Sequence, residues 1–264
     1  MINLKSNNFL VNSEVNKNLK SIIKSKIFSN GYIFHGPEGI GKKATAIEFI
    51  KNIFKIYQSD VNIEEKIQDN NHPDFLFIEP SYLIKGNLIN RSEYDSPKNN
   101  KATIRIDQIR NIKNFLGHKP LESEKKIVLI IDAHLLNESA SNCLLKTLEE
   151  PTNGLFILLT SRLNILLDTI ISRCQLVRFE SHSYKQLEEF VKNKLDFASF
   201  DIDKELDFQY LINSANGSPG KIIDAIKIWS AIPKEIKNNL NFPLRDNLEI
   251  LKISKLISEQ LEIH

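Results

Sequence analysis

The chain has 264 residues, 41% of them hydrophobic, enough to bury a sizeable core and to divide into two or three domains. Lysine plus arginine (35) nearly balance aspartate plus glutamate (33), so a net +2 excludes a strongly basic nucleic-acid footprint and confines any DNA contact to local clusters. Two cysteines, Cys143 and Cys174, supply neither a disulfide framework nor a zinc quartet, and no run approaches the roughly 18 apolar residues of a membrane span. The expected setting is the cytoplasm, without a metal site or a membrane partner.

Residues 13 to 27 read as a helix opened by Ser13, with Val15, Leu19, Ile22 and Ile23 on its inner face. Its lysines, Lys17, Lys20, Lys24 and Lys26, read either as a local phosphate-binding cluster or as the solvated face of the helix. Tyr32-Ile33-Phe34 then forms a short buried strand, and Gly36-Pro37-Glu38-Gly39-Ile40-Gly41-Lys42-Lys43 fits G-x-x-x-x-G-K, the loop whose backbone N–H groups cradle phosphate. Ala44, Ile47, Ile50 and Phe54 continue at helical spacing, which completes strand, loop and helix. Where such a loop ends in Ser or Thr to hold Mg²⁺, this chain has Lys43, and an ammonium cannot ligate a cation.

A polar region follows, with Phe75-Leu76-Phe77-Ile78 as its one strand, and the Asn-, Ser- and Lys-rich stretch from Ser81 to Lys101 reads as an exposed loop. Ile106, Ile109, Ile112 and Leu116 mark a helix. Ile127 to Ile131 is an uninterrupted apolar run, expected of a parallel strand covered on both faces. Ser139 to Glu150 forms a helix stopped by Pro151, Leu155 to Leu159 the next strand, and Gln175 to Phe179 the last. Strands alternating with helices predict a doubly wound α/β domain over residues 1–180. Helical spacing at Leu187, Phe190, Val191 and Leu195, at Leu206, Tyr210 and Leu211, and at Ile222, Ile223 and Ile226 predicts a small helical domain over 181–229, with Gly217-Ser218-Pro219-Gly220 separating the last two helices. Residues 230–264 read as a short helix-prone tail interrupted by Pro233 and Pro243.

Hydrolysis by a phosphate-loop protein needs acidic groups at the end of a neighbouring strand, one to orient the metal and often a glutamate to activate water. The strand at 127–131 ends in Asp132-Ala133-His134. Asp132 suits the metal role, Ala133 stands where the glutamate is expected, and His134 reads as a substitute base or as a hydrogen-bonded surface residue. Lys43 and Ala133 disable the same reaction from separate motifs. Arg173, in Ser172-Arg173-Cys174, carries a planar fork suited to phosphate, and is equally an arginine of a surface ion pair.

Taken together, Tyr32 to Lys42, His72-Pro73-Asp74, Ile106-Asp107-Gln108-Ile109-Arg110, Ile131-Asp132-Ala133-His134, Asn142 to Pro151 and Ser172-Arg173-Cys174 resemble the bacterial clamp-loader branch of the AAA+ superfamily. Within it they are most similar to the delta-prime family of DNA polymerase III, over residues 9 to 227. The resemblance implies an AAA+ domain with a parallel sheet, a helical lid and a helical tail. It implies that Arg173 is an arginine finger acting in trans on a neighbour's ATP, and that Gly36, Gly39, Gly41, Lys42 and Asp132, with Lys221 of the lid, form a degenerate nucleotide site. Own ATPase activity is expected to be absent, with no required cofactor and at most residual ATP or ADP binding. The implied partners are gamma/tau-like and delta-like subunits and, through the complex, the sliding clamp and primer-template DNA. Residues 57 to 105 lack the four zinc-binding cysteines of many relatives, and the 35 residues after Trp229 are too few for a full collar domain. Two alternatives stand beside this reading: an active gamma/tau-like ATPase subunit, and a free-standing AAA+ regulator that binds nucleotide as a structural ligand.

Overall fold

The structure, a computed structural model, describes residues 10, 12–57, 62–94, 100–150, 154–194, 209 and 212–231. These fall into two compact units, one within residues 11–180 and one formed by residue 10 and the residues from 181 onward.

The first unit is a five-stranded, wholly parallel sheet in the order β2-β5-β6-β1-β7, made of β1 (Gly31–His35), β2 (Phe75–Ile78), β5 (Lys126–Ile130), β6 (Gly154–Thr160) and β7 (Gln175–Arg178). The apolar runs expected as strands are these strands, within a residue or two at their ends. Side chains along a strand alternate between faces, so a run buried on both sides feeds two cores at once. Tyr32, Phe34, Ile127, Leu129 and Ile157 enter one core with α1 (Ser13–Ser25), α2 (Lys42–Tyr57) and α3 (Ile63–Gln68). Ile33, Val128, Ile130, Phe156 and Leu158 enter the other, with α4 (Ile106–Leu116), α5 (Glu138–Glu149) and the short α6 (Asp168–Ile171). Each fully buried Ile or Phe contributes on the order of 1.5–3 kcal/mol, and these two layers hold the sheet between them.

Local chemistry sets the helix ends. Asn12 caps α1, its Oδ1 accepting from the N–H groups of Glu14 and Val15 at 3.2 and 3.4 Å, so the helix is opened one residue before Ser13. Asn137 caps α5 in the same way through Ala140 N–H at 2.8 Å.

The stretch from Ser81 to Lys101 is not an exposed loop. It carries an antiparallel hairpin, β3 (Ser81–Ile84) and β4 (Asn87–Asn90), followed by a 3₁₀ turn at Arg91–Glu93. Lys85 and Gly86 both have positive φ, 49° and 86°, the two-residue turn whose twist suits a hairpin. Ser81 and Tyr82 are buried at its root. The composition is that of a loop, but the two short apolar runs around Lys85-Gly86 pair with each other and the root is bonded to the domain.

In the second unit α7 (Tyr184–Lys194) and α8 (Pro219–Ala231) pack Leu187, Phe190, Val191, Ile222 and Ile226 together with Ile212 and Ala215. Pro219 and Gly220 belong to α8 rather than to a separator, because proline is pre-shaped for a helix's first turn, where its missing N–H costs nothing. The helix expected around Leu206, Tyr210 and Leu211, and the tail over 230–264, lie almost wholly outside the described residues.

Candidate functional site

β1 pairs with β6 on one side and β7 on the other, and the chain leaves it through residues 36–41 into α2. This is the switch point of the sheet, where open α/β folds place ligands at the carboxyl ends of strands. A cavity of about 490 Å³ opens there, lined by Glu38, Gly39, Gly41, Lys42, Lys43, Glu79, Arg91, Ser92, Asp132 and Ser161 among others. Four of the expected site residues, Gly39, Gly41, Lys42 and Asp132, are thus brought together. Gly36 lies at the root of the loop, Lys221 is exposed on the first turn of α8 in the second unit, and Arg173 is outside the cavity lining.

Backbone geometry explains the glycines. Gly36 has φ +151°, and a Cβ there would stand 2.3 Å from the carbonyl oxygen of Phe179, just beyond β7. No side chain fits. Gly39 and Gly41 have φ of 72° and 98°, values that only glycine adopts without strain. The loop therefore has the backbone of a phosphate cradle. The Lys42 ammonium donates to the loop's own carbonyls, Gly36 O at 2.7 Å and Pro37 O at 2.6 Å. Burial pushes its pKa down to about 8, with Asp132 and Glu38 acting in the opposite direction.

The metal-seating half is different. Lys43 is exposed and its ammonium sits 4.8 Å from the centroid of the Phe77 ring, a cation–π contact from β2. Asp132, at φ 49°, forms an ion pair with the guanidinium of Arg91. The residues present fit a phosphate group and do not fit Mg²⁺: one side chain of the seat is cationic and the other already holds a cation. Ala133 is fully buried in the second core, so a side chain there points into apolar packing. His134 bonds Thr160 Oγ1 through Nδ1 at 3.3 Å, and burial first of all lowers its pKa. It is the hydrogen-bonded residue of the two readings.

Sequence reasoning does not find Arg91, which lies in the stretch expected as loop. The hairpin delivers it. Arg91 N–H donates to Pro80 O at 2.9 Å, and the hairpin root is tied to the start of α4, where Gln108 donates to Glu79 O at 2.8 Å and accepts from Ser81 Oγ at 3.0 Å. Arg105 adds a bond to Ser81 O at 2.6 Å. Glu79, buried beside the cavity, receives the hydroxyl of Ser92. Two short apolar runs, Tyr82 to Ile84 and Leu88-Ile89, separated by the turn-forming Lys85-Gly86, were the available signal for the hairpin.

Arg173 sits after α6, half-exposed, bonded through one nitrogen to Glu149 Oε1 at 2.6 Å and through another to Thr169 O at 2.8 Å. His72-Pro73-Asp74 is structural. The Asp74 carboxylate is buried and accepts the N–H groups of Leu121, Glu122 and Ser123, and the His72 ring stacks on Phe54 at 4.1 Å. Among the described residues no group of three or more His, Cys, Asp or Glu could hold a metal ion, and no helix is long and apolar enough to cross a membrane.

The parallel strand order and the glycine-built loop at the switch point define a P-loop α/β fold. The family described as "DNA polymerase III, delta subunit" matches residues 11–183, and this chain belongs to that family. A second family, "Cyanobacterial DNA polymerase III delta prime, C-terminal domain", matches residues 197–264. The DNA polymerase III subunit delta' of Bacillus subtilis (strain 168) is 31% identical over 66% of this chain and 49% of its own length. Subunit tau of the same organism is 34% identical over 63% of this chain and 27% of its own length. The chain thus spans about half the length, or less, of these curated relatives. Among solved structures, a gamma subunit-related protein of Thermotoga maritima has a TM-score of 0.50 at 22% identity, covering 88% of this chain and 67% of that one. The RuvB Holliday junction branch migration motor of Thermotoga maritima has a TM-score of 0.50 at 15% identity, covering 94% and 70%. At such identities these two show the fold alone.

Proposed function

We propose that this chain is a non-hydrolysing, delta-prime-like subunit of a DNA polymerase III clamp loader, acting in the cytoplasm to support ATP-dependent loading of the sliding clamp on primed DNA. The observation that carries the proposal is a pocket that keeps the phosphate cradle and has lost the metal seat, in a chain of this family. A subunit that does not turn over its own ATP contributes through its surface. Arg173 is the residue suited to that: its side chain is 38% exposed and its guanidinium is held by Glu149 and Thr169. In this reading it completes the ATP site of a gamma/tau-like neighbour, with a delta-like subunit as a further partner. Lys221 belongs to a lid over residues 181–229, and residues 230–264 form a tail. The loop cradle, through Gly36, Gly39, Gly41 and Lys42, retains at most ATP or ADP as a bound ligand.

The test is ATP turnover by a reconstituted clamp loader carrying Arg173→Ala, with assembly checked by gel filtration. An arginine finger supplied in trans is worth on the order of 10³–10⁵ in rate at its site, so DNA- and clamp-stimulated turnover at the adjoining site should collapse while the complex stays intact. Arg173→Lys should rescue poorly, since a point ammonium cannot form the bidentate fork. Unchanged stimulated turnover in an intact complex removes the finger role. The similarity to a tau subunit favours an active ATPase as the second reading, and steady turnover by the isolated chain above a Lys42→Ala control would establish it instead.

A further inference from the structure

The cavity lining is electrically self-complementary. Lys42, Lys43 and Arg91 oppose Glu38, Glu79 and Asp132, and Arg91 forms an ion pair with Asp132, two partly exposed groups 41 residues apart in the chain. That pairing is built rather than incidental. The 3₁₀ turn that carries Arg91 is anchored by Pro80 O, the hairpin root beneath it is bonded to Arg105 and Gln108, and Ser92 is fixed to Glu79 on the adjoining side. Four elements, β2, the hairpin, α4 and the end of β5, converge to set one guanidinium against one carboxylate.

A carboxylate at the end of the strand beside a phosphate loop is where a divalent cation would be expected. Here a divalent ion reaching Asp132 must displace a charge-assisted contact to Arg91, and it must do so beside Lys43, a like charge in place of a ligand. The guanidinium supplies at that spot what the metal would: positive charge on Asp132, with N–H donors left over for a phosphate.

We propose that Arg91 is the resident cation of this pocket and that the pocket takes the polyphosphate of a nucleoside di- or triphosphate without a divalent metal, held by Lys42, Lys43 and Arg91. This rests on the reading of the pocket as hydrolytically silent and goes beyond it, because it names both the form of the ligand and the side chain that replaces the metal. Gln108 and Arg105 serve as positioning residues, acting through the hairpin root. Binding requires Lys42 to turn from the Gly36 and Pro37 carbonyls to the phosphate, a change within one side chain.

The experiment uses the full chain and fluorescent N-methylanthraniloyl-ADP, titrated once in excess magnesium and once in EDTA. Wild-type binding should be at least as tight in EDTA as in excess magnesium, which ties up metal-free ADP. A hydrogen bond to a charged group is worth about 1.5–3 kcal/mol, so Arg91→Ala should weaken binding in EDTA by roughly ten- to a hundredfold. Magnesium should then recover part of the loss, because Asp132 is free to receive it. Arg91→Gln, which keeps most of the volume, provides the same comparison should the alanine variant fold poorly, with circular dichroism checking both. Mn²⁺ binding followed by electron paramagnetic resonance should be absent in the wild type with ADP present and should emerge in the variant. Wild-type binding at least tenfold tighter with magnesium overturns the proposal, as does absence of saturable binding in both buffers or an Arg91 variant that behaves as wild type. ATP turnover by the same isolated chain is read separately: hydrolysis defeats the silent-site reading, whereas silence without metal-free binding defeats only the role of Arg91.

Discussion

Asp74→Ala tests how the buried acid of His72-Pro73-Asp74 holds the sheet. Its carboxylate accepts four contacts from three backbone N–H groups, Leu121 at 2.8 and 3.1 Å, Glu122 at 2.7 Å and Ser123 at 2.8 Å, and it is fully buried. It thereby pins the segment entering β5 against β2, whose pairing begins one residue later at Phe75 and Ile127. Bonds to a charged acceptor are worth about 1.5–3 kcal/mol each, so three donors set an upper bound of roughly 5–9 kcal/mol. Leu121 and Glu122 are exposed, however, and their freed N–H groups can turn to water. The expected loss is therefore about 2–4 kcal/mol. For a unit of this size each kcal/mol lowers Tm by about 2–4 °C, giving a fall of roughly 5–15 °C in a thermal melt followed by circular dichroism. Asp74→Asn should lose about as much, because its amide aims a donor at a cluster of donors. A melting temperature within about 2 °C of wild type for Asp74→Ala would refute the claim that this carboxylate carries the loop.

Two further outcomes follow from the site. Gly36→Ala places a Cβ 2.3 Å from Phe179 O, a backbone atom that cannot swing aside, at φ +151°. It should separate the ends of β1 and β7 and lower Tm by several degrees, so an alanine variant that melts with wild type contradicts the contact. Burial pushes the Cys174 thiol from 9.0 up to about 11, so it stays protonated in the folded chain where an unfolded thiol ionises. The unfolded state then binds fewer protons between pH 9 and 11, and stability should fall as pH rises through that window. A thiol-alkylating reagent at pH 8 should modify Cys174 only when the protein unfolds, and native-state modification at the rate of a short peptide thiol would show that the burial is wrong.

How far the sequence reached depends on the range of the interactions involved. The strands were legible because a parallel strand buried on both faces writes itself as a continuous apolar run, as in Ile127 to Ile131, whichever side chain goes to which core. The loop glycines were legible for a similar reason: a phosphate cradle needs backbone angles that glycine alone adopts freely, so the requirement sits at fixed spacing in the chain. Lys43 could be read as the loss of a metal ligand from its identity alone.

The hairpin over residues 81–90 was missed in the sequence reading because its composition is that of a loop, and what ties it to the domain is the set of bonds between Ser81 and Arg105 and Gln108, 24 and 27 residues downstream. The partner of Asp132 escapes with it, since nothing local to Arg91 announces a neighbour 41 positions away. The same holds for Asp74 and the three N–H groups it gathers from residues 121–123. Apolar runs and glycine spacing are short-range marks, and what the sequence by itself determined here rests on them: the α/β alternation, the cradle and the absence of its hydroxyl. Which charges meet in the pocket is a long-range property set by how the sheet brings the ends of β2, β5 and the hairpin together. Only the tertiary structure decided that Asp132 pairs with the guanidinium of Arg91.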